Sequence, residues 1–163
     1  MSSFTNITFE LDGVVILNRS LSRFGENLRS FRQIWPGIKV ELQAILKEQF
    51  RGQGVGTAGP WPQLSEDYRK WKEKKFPGRP ILVRTGATRA ALTSTTEHSL
   101  YLPTDTELTF GVALPYPIFH QRGGKRLPRR PIFDFTEPHK ARLVKVVERR
   151  LLAAGRENGV TLS

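Results

Sequence analysis

The sequence has no cysteine among its 163 residues. Disulfide frameworks, thiolate nucleophiles and cysteine–zinc sites are therefore excluded. Long apolar segments are lacking too, since residues 13–17 form the longest run and a membrane helix needs roughly 20 residues. Residues 1–4 show no basic stretch leading into an apolar core, so we expect no secretory signal and no membrane association.

Acidic residues are also scarce, because 15 Asp and Glu stand against 26 Lys and Arg, for a net charge of +11. The excess lies in two blocks. Residues 69–89 hold eight basic residues and one Glu, and residues 120–150 hold ten basic residues and three acids. Such blocks face nucleic acid, an acidic protein partner or only solvent, and the composition leaves these alternatives open.

The apolar residues of the first half follow two different periods. Residues 6–12 alternate polar and apolar side chains, which predicts a strand. Apolar residues every three to four positions then predict helix over residues 17–28 and again over residues 38–50. Pro36-Gly37 separates these two series, and because proline has no amide donor we expect a kink or a new helix start there.

The middle of the chain alternates short helices with breaks. Ser65 is predicted to cap a helix that ends at Phe76-Pro77-Gly78. Residues 80–83 form a short apolar run, which we interpret as extended, and Thr85 is predicted to cap a further helix reaching residue 92.

Two strands and one helix are predicted for the rest of the chain. The strands cover residues 98–102 and 107–114, and Thr136 is predicted to cap the last helix, which Gly155 would stop. Its buried stripe is predicted to comprise Leu143, Val144, Val147, Leu151 and Leu152.

This order of elements predicts one α+β domain spanning residues 1–163. An antiparallel sheet would pack against a long helix from the N-terminal half and against the C-terminal helix. Residues 1–37 form its N-terminal strand–helix part. The Gly/Pro-rich segments at residues 51–60 and 121–131 are predicted to be flexible loops.

No group of residues in the sequence supports catalysis. The three histidines, His98, His120 and His139, show no metal-ligand spacing, and Gly-x-Ser-x-Gly is absent. We therefore expect no enzymatic activity, no catalytic residue, no metal and no cofactor.

The segment Tyr68–Phe76 interleaves aromatic and basic residues, as proteins that bind single strands do. A freestanding nucleic-acid-binding module is therefore an alternative function. On a helix, however, Tyr68, Trp71 and Lys75 share one face while Lys70 and Lys74 lie on another. We favour the interpretation that the aromatic face packs in the core and the lysine face is solvated.

Three motifs in fixed order carry a resemblance to a known family. The first is Trp61-Pro62-x-Leu64-Ser65-x-x-Tyr68. The second is Pro80-Ile81-Leu82-Val83-Arg84-Thr85-Gly86-x-x-Arg89-x-x-Leu92. The third is Pro115-Tyr116-x-x-x-His120-Gln121, followed by Pro128-x-Arg130-Pro131-x-Phe133. Together they resemble the tailed-phage virion morphogenesis, or tail completion, family, and the similarity covers residues 38–152.

The resemblance implies a structural virion protein that forms a ring, commonly a hexamer, at the head–tail junction or the top of the tail. Implied partners are further copies of the chain, the connector or adaptor, the tail tube or sheath proteins, and passing genomic DNA bound without sequence specificity. The implied location is the neck of the virion, reached after assembly in the host cytoplasm.

The motif residues have structural roles that can be predicted from their chemistry. Trp61 is a large apolar anchor, Thr85 a helix cap, Gly86 a position of close backbone packing or of an unusual backbone dihedral, and Tyr116 a residue packed beneath the sheet. The full set of structural motif residues is Trp61, Tyr68, Thr85, Gly86, Arg89, Tyr116, His120 and Pro131.

The loop at residues 121–131 is the predicted contact segment. A folded monomer gains little from concentrating like charges, so we expect the loop to dock on a subunit, another neck or tail protein, or DNA, with a solvated loop as the alternative. Its predicted contact residues are Arg122, Lys125, Arg126, Arg129 and Arg130.

Overall fold

The computed structural model describes residues 5–10, 31–55 and 59–157. Within them the chain forms three strands and five helices, which confirms the predicted α+β class. The strands are β1 (Thr5–Glu10), β2 (Ser99–Pro103) and β3 (Glu107–Val112). The helices are α1 (Trp35–Arg51), α2 (Glu66–Lys75), α3 (Ala87–Thr93), α4 (Pro117–Arg122) and α5 (Glu137–Glu157).

The three strands form one antiparallel sheet in the order β1-β3-β2. Along β3, Leu108, Phe110 and Val112 are buried, because alternate residues of a strand point to the same face. The register sets Ile7 opposite Phe110 on one side and Tyr101 opposite Phe110 on the other. The strand predictions are confirmed, with shifts of one or two residues at their ends.

Helix α1 is the centre of the core, and its buried residues recur every three to four positions as predicted. It begins at Trp35, with Pro36 in the first turn. Amides in the first turn have no carbonyl partner within the helix, so the missing amide donor of proline costs no hydrogen bond there. Pro36-Gly37 therefore marks a helix start. The helix predicted over residues 17–28 lies outside the described residues.

Helix α5 packs on α1, but its buried stripe differs from the prediction. Leu143 and Val147 are buried as expected, whereas Val144 and Leu152 are exposed and Val146 takes a core position. The close approach of α1 explains the difference, because a Cβ atom on Gly37 would lie 3.0 Å from Val146 Cγ1.

The helix also continues through Gly155 to Glu157, so the predicted stop at the glycine is wrong. An interior glycine costs a helix only about 1 kcal/mol, which flanking helical residues offset. No helix in the described ranges is both long and apolar enough to cross a membrane.

Candidate binding cleft

A cleft of about 800 Å³ opens between α2, the turn before α3, and the segment around α4. All three sequence motifs contribute to its lining. The first supplies Leu64, Ser65 and Tyr68, the second Leu82 to Gly86, and the third Tyr116, His120 and Pro128. The structure thus brings together residues that lie far apart in the sequence, and the motifs define one site.

Trp61 anchors the first wall of the cleft, as predicted. Its side chain is buried against Phe50, with the two rings edge to face and their centroids 5.4 Å apart. Its indole Nε1–H donates a hydrogen bond to the carbonyl oxygen of Pro131 at 2.9 Å. Gln49 Nε2 donates to the same oxygen at 3.0 Å, so one carbonyl binds two elements together.

Arg130 joins the first and third motifs inside the subunit. Its side chain is only 3% exposed, and it donates from Nε to the Pro62 carbonyl at 2.7 Å and from Nη2 to the Gln63 carbonyl at 2.8 Å. This guanidinium is an internal anchor. Contact with a partner therefore remains a prediction for the other four basic residues of the loop, all of which are exposed: Arg122, Lys125, Arg126 and Arg129.

Gln121 holds the far end of the basic loop, a role that the sequence did not indicate. Its Oε1 accepts hydrogen bonds from the amides of Ile132 at 2.8 Å and Phe133 at 2.9 Å. Its Nε2 donates to the Phe133 carbonyl at 2.9 Å. Residues 121 and 122 belong to α4, so the loop is shorter than predicted and hydrogen-bonded at its end.

The second motif forms a turn, which corrects the prediction of an extended run at residues 80–83. Leu82 adopts φ +60°, a left-handed conformation that costs an L-residue about 1–2 kcal/mol. Gly86 occupies the N-cap position of α3. Its φ of +95° is an unusual backbone dihedral, as predicted. Thr85 lies one residue earlier than a cap, and its Oγ1 accepts a hydrogen bond from the Ala87 amide at 3.4 Å. This turn exposes Arg84 at the cleft.

On helix α2 the predicted lysine face, Lys70 and Lys74, is exposed as expected, but the predicted aromatic face is exposed too. Tyr68 and Trp71 are 41% and 42% exposed, whereas Lys72 is buried. The lysine stem packs inward and Nζ donates one hydrogen bond to the Pro80 carbonyl at 2.5 Å. Burial lowers the pKa of Lys72. Ser65 occupies the N-cap position as predicted, but its side chain makes no capping hydrogen bond.

The aromatic residues of α2 form an exposed surface cluster. Tyr68 stacks on Trp71 with ring centroids 5.3 Å apart and planes at 26°, and Phe76 meets Trp71 edge to face at 5.9 Å. The prediction that this face packs in the core is wrong. The buried residue of α2 is instead Lys72, four positions after Tyr68, whose Nζ donates to the Pro80 carbonyl.

The third motif supplies the remaining wall through α4, a helix that the apolar pattern did not predict. Tyr116 is exposed at the cleft, so the prediction that it packs beneath the sheet is wrong. His120 Nδ1 is buried and has no hydrogen-bond partner among the described residues. Burial, and then the charge of Arg130, lower the pKa of His120, so this imidazole is neutral at pH 7.

The cleft is basic. Lys72, Arg84, Arg126 and Arg130 line it together with His120, and its described lining contains no carboxylate. Arg84 and Arg126 are exposed and form no ion pair within the part of the chain that the structure describes. Exposed guanidinium groups beside tyrosines are suited to bind a carboxylate or phosphate in a partner.

The other motif residue, Arg89, is exposed on α3 and does not line the cleft. Among the described residues, no cluster of three or more His, Asp or Glu side chains is arranged to hold a metal ion.

The fold and the cleft define a small α+β protein in which three sequence motifs line one basic cleft. A family model of phage virion morphogenesis proteins matches residues 14–161, and the chain belongs to this family. It is therefore a bacteriophage structural protein of virion assembly. Neither the curated proteins nor the solved structures that were compared with it contain a match.

Proposed function

We propose that the protein is a ring-forming subunit of the tail completion, tail-terminator or neck type, which connects the tail to the head and surrounds the DNA channel. The convergence of all three family motifs on one basic cleft carries this proposal. Exposed arginines and tyrosines lining one cleft are the residue types that dominate binding energy where subunits or partners meet. A closed ring requires head-to-tail contacts whose rotation closes.

The mechanism is geometric and involves no catalysis. Rigid elements position the cleft: Trp61 and Gln49 hold Pro131, Arg130 holds the segment before α2, and Gln121 holds the end of the basic loop. Proteins of the connector or adaptor on one side and of the tail tube or sheath on the other would dock on the ring. DNA would pass through it with contacts to phosphates and without sequence specificity.

Mass measurement of the purified protein, combined with negative-stain images, tests the ring. We expect a closed assembly, with six copies as the expected number, located at the head–tail junction of the virion. The protein would assemble in the host cytoplasm before it is incorporated. A chain that remains monomeric at high concentration, and that antibody labelling does not detect at the neck of particles, would overturn the proposal.

A freestanding nucleic-acid-binding module is the second candidate, and the exposed Tyr68–Trp71 stack favours it more than the sequence alone did. Single-strand binders stack bases on such rings. Fluorescence titrations with single-stranded and double-stranded DNA over a salt series distinguish the candidates. Tight single-strand binding that Trp71→Ala abolishes would favour the module, whereas weak, salt-sensitive binding without strand preference fits a channel lining.

A further inference from the structure

The sheet carries charge of the opposite sign to the rest of the protein. From residue 90 to residue 121 the chain contains Glu97, Asp105 and Glu107 but no Lys or Arg, in a protein of net charge +11. This interval includes both β2 and β3. The interval therefore has a net charge of −3, while the cleft and the basic loop carry an excess of cations.

The outer face of the sheet also exposes an apolar residue beside this acid. Because Leu108 and Phe110 point into the core, Glu107 and Thr109 point to the other face, and the register sets Leu102 opposite Thr109 on that same face. Leu102 is 56% exposed, and Glu107 is exposed and forms no ion pair among the described residues. We name Leu102 and Glu107, on the edge strand and its neighbour, the acidic sheet face.

The cleft side carries exposed aromatic and cationic groups, which complement the apolar and acidic groups of the sheet. Tyr68 and Trp71 form an exposed aromatic stack, and Arg84 and Arg126 are exposed cations without a carboxylate partner in the described chain. Tyr, Trp and Arg are the residue types that dominate binding energy at protein interfaces. We name these four residues the basic-aromatic face. Tyr68, Arg84 and Arg126 line the cleft, whereas no residue of a strand does, so this face and the acidic sheet face are separate surfaces.

We propose that the basic-aromatic face of one copy docks on the acidic sheet face of the next copy, a specification that rests on the proposed ring. Guanidinium groups would meet Glu107, and the aromatic stack would cover Leu102. The two faces are built from different elements, so the contact is head-to-tail and repeats around a ring. DNA is a poorer occupant of this pair of faces, because phosphates would repel the acidic sheet face and would leave Leu102 uncovered.

Charge reversal of the basic-aromatic face provides the first test. Arg84→Glu/Arg126→Glu should weaken subunit association about 100-fold in sedimentation measurements, because like charges at a contact are strongly unfavourable. The matched control, Lys145→Glu/Arg149→Glu, makes the same change in net charge on exposed residues of α5 and should associate like the wild type. Circular dichroism checks that both variants remain folded.

The acidic sheet face is tested in the same way. Leu102→Arg/Glu107→Arg should weaken association to a similar degree. Its control, Val40→Arg/Glu137→Arg, places the same residue types on an exposed valine of α1 and an exposed glutamate of α5, and should leave association unchanged.

Mixing the two interface variants gives the decisive result. Each retains one intact face, so a head-to-tail contact allows the mixture to form a heterodimer, and larger alternating assemblies if the two charge-reversed faces also pair. Assemblies that contain both variants, with neither variant assembling alone, support the proposal. If both variants still form the same ring as the wild type, the proposed interface is wrong, but the proposal of a ring stands. If the wild type never oligomerises, the proposal of a ring is itself wrong. Loss of DNA binding in the basic-face variant with normal assembly would assign that face to DNA and would also overturn the interface.

Discussion

The indole nitrogen of Trp61 donates a hydrogen bond to the carbonyl oxygen of Pro131, a residue 70 positions further along the chain, at 2.9 Å. The same side chain packs edge to face on Phe50 of α1. One residue thus attaches both the first and the third family motif to the central helix, and the walls of the cleft depend on it.

Two substitutions at Trp61 separate its packing from its hydrogen bond. Trp61→Ala should lower the free energy of unfolding by about 3–5 kcal/mol, because it leaves a large cavity. Trp61→Phe retains most of the packing but removes one donor from the Pro131 carbonyl, which still accepts from Gln49, and should cost about 0.5–1.5 kcal/mol. Urea denaturation measures both. A Trp61→Phe variant as stable as the wild type would show that the hydrogen bond contributes nothing, and equal losses would show that the packing contributes nothing.

Gly54 lies directly against this anchor, and a side chain there should be poorly tolerated. A Cβ atom would lie 2.7 Å from Trp61 Cδ1, and the backbone has φ +86°. Gly54→Ala should therefore destabilise the protein by more than about 1 kcal/mol, since strain and displacement of the indole add. Gly124→Ala, where a Cβ would meet no atom within 4 Å, is the control for thermal melts. Equal melting temperatures would contradict the packing argument.

Neighbouring arginines of the basic loop should respond in opposite ways. Arg130→Ala should cost about 2 kcal/mol or more in stability, because the Pro62 and Gln63 carbonyls lose charged donors inside the protein. Arg129→Glu should leave the melting temperature nearly unchanged, because this side chain is exposed. If Arg129→Glu destabilised the protein as much as Arg130→Ala, the burial of Arg130 would not be the reason for its contribution to stability.

Helices α1 and α5 are joined by an ion pair whose contribution should depend on pH. Arg142 donates to Glu48 at 2.7 Å, and this hydrogen bond lowers the pKa of Glu48 below its ordinary value of 4.5. The stabilisation is fully present above pH 4.5 and is lost as the pH falls through the lowered pKa of the folded state.

Glu48→Gln should therefore reduce stability at pH 7 by no more than about 1 kcal/mol, since the carboxylate is half exposed. The difference from the wild type should shrink as the pH falls below 4.5 and disappear below the lowered pKa of the folded state, where the unfolded and folded carboxyls are both protonated. Denaturation at pH 7 and over a descending series of acidic pH values measures this, with Glu148→Gln, an exposed carboxylate on α5, as the control. A deficit that persists at low pH would attribute the effect to packing.

We expect no hydrolase, nuclease or transferase activity. The sequence contains no catalytic constellation, and the walls of the cleft provide cations but no carboxylate base. Incubation with DNA and magnesium or manganese should leave the substrate intact. Turnover that disappears on mutation of a single acidic residue would refute this expectation.

The strong periodic patterns determined much of the fold. The apolar repeat along residues 38–50 produced α1, and alternation produced β1 and β3, because burial of one face is required wherever these elements form. The motif order alone also indicated the family. In these cases the spacing of the apolar residues predicts the element and its buried face, and no contact between distant parts of the chain has to be known.

Only the tertiary structure decided that Lys72 is the buried residue of α2, since aromatic rings and lysine stems can both fill a core. The Lys72–Pro80 hydrogen bond resolves that choice, just as Gly37 selects Val146 over Val144 in α5. The cleft itself is also a tertiary feature. From the sequence, Arg130 and Gln121 would be expected at the surface. They are anchors because folding brings carbonyls and amides from distant parts of the chain within hydrogen-bond distance of their side chains, and a local sequence pattern does not show this.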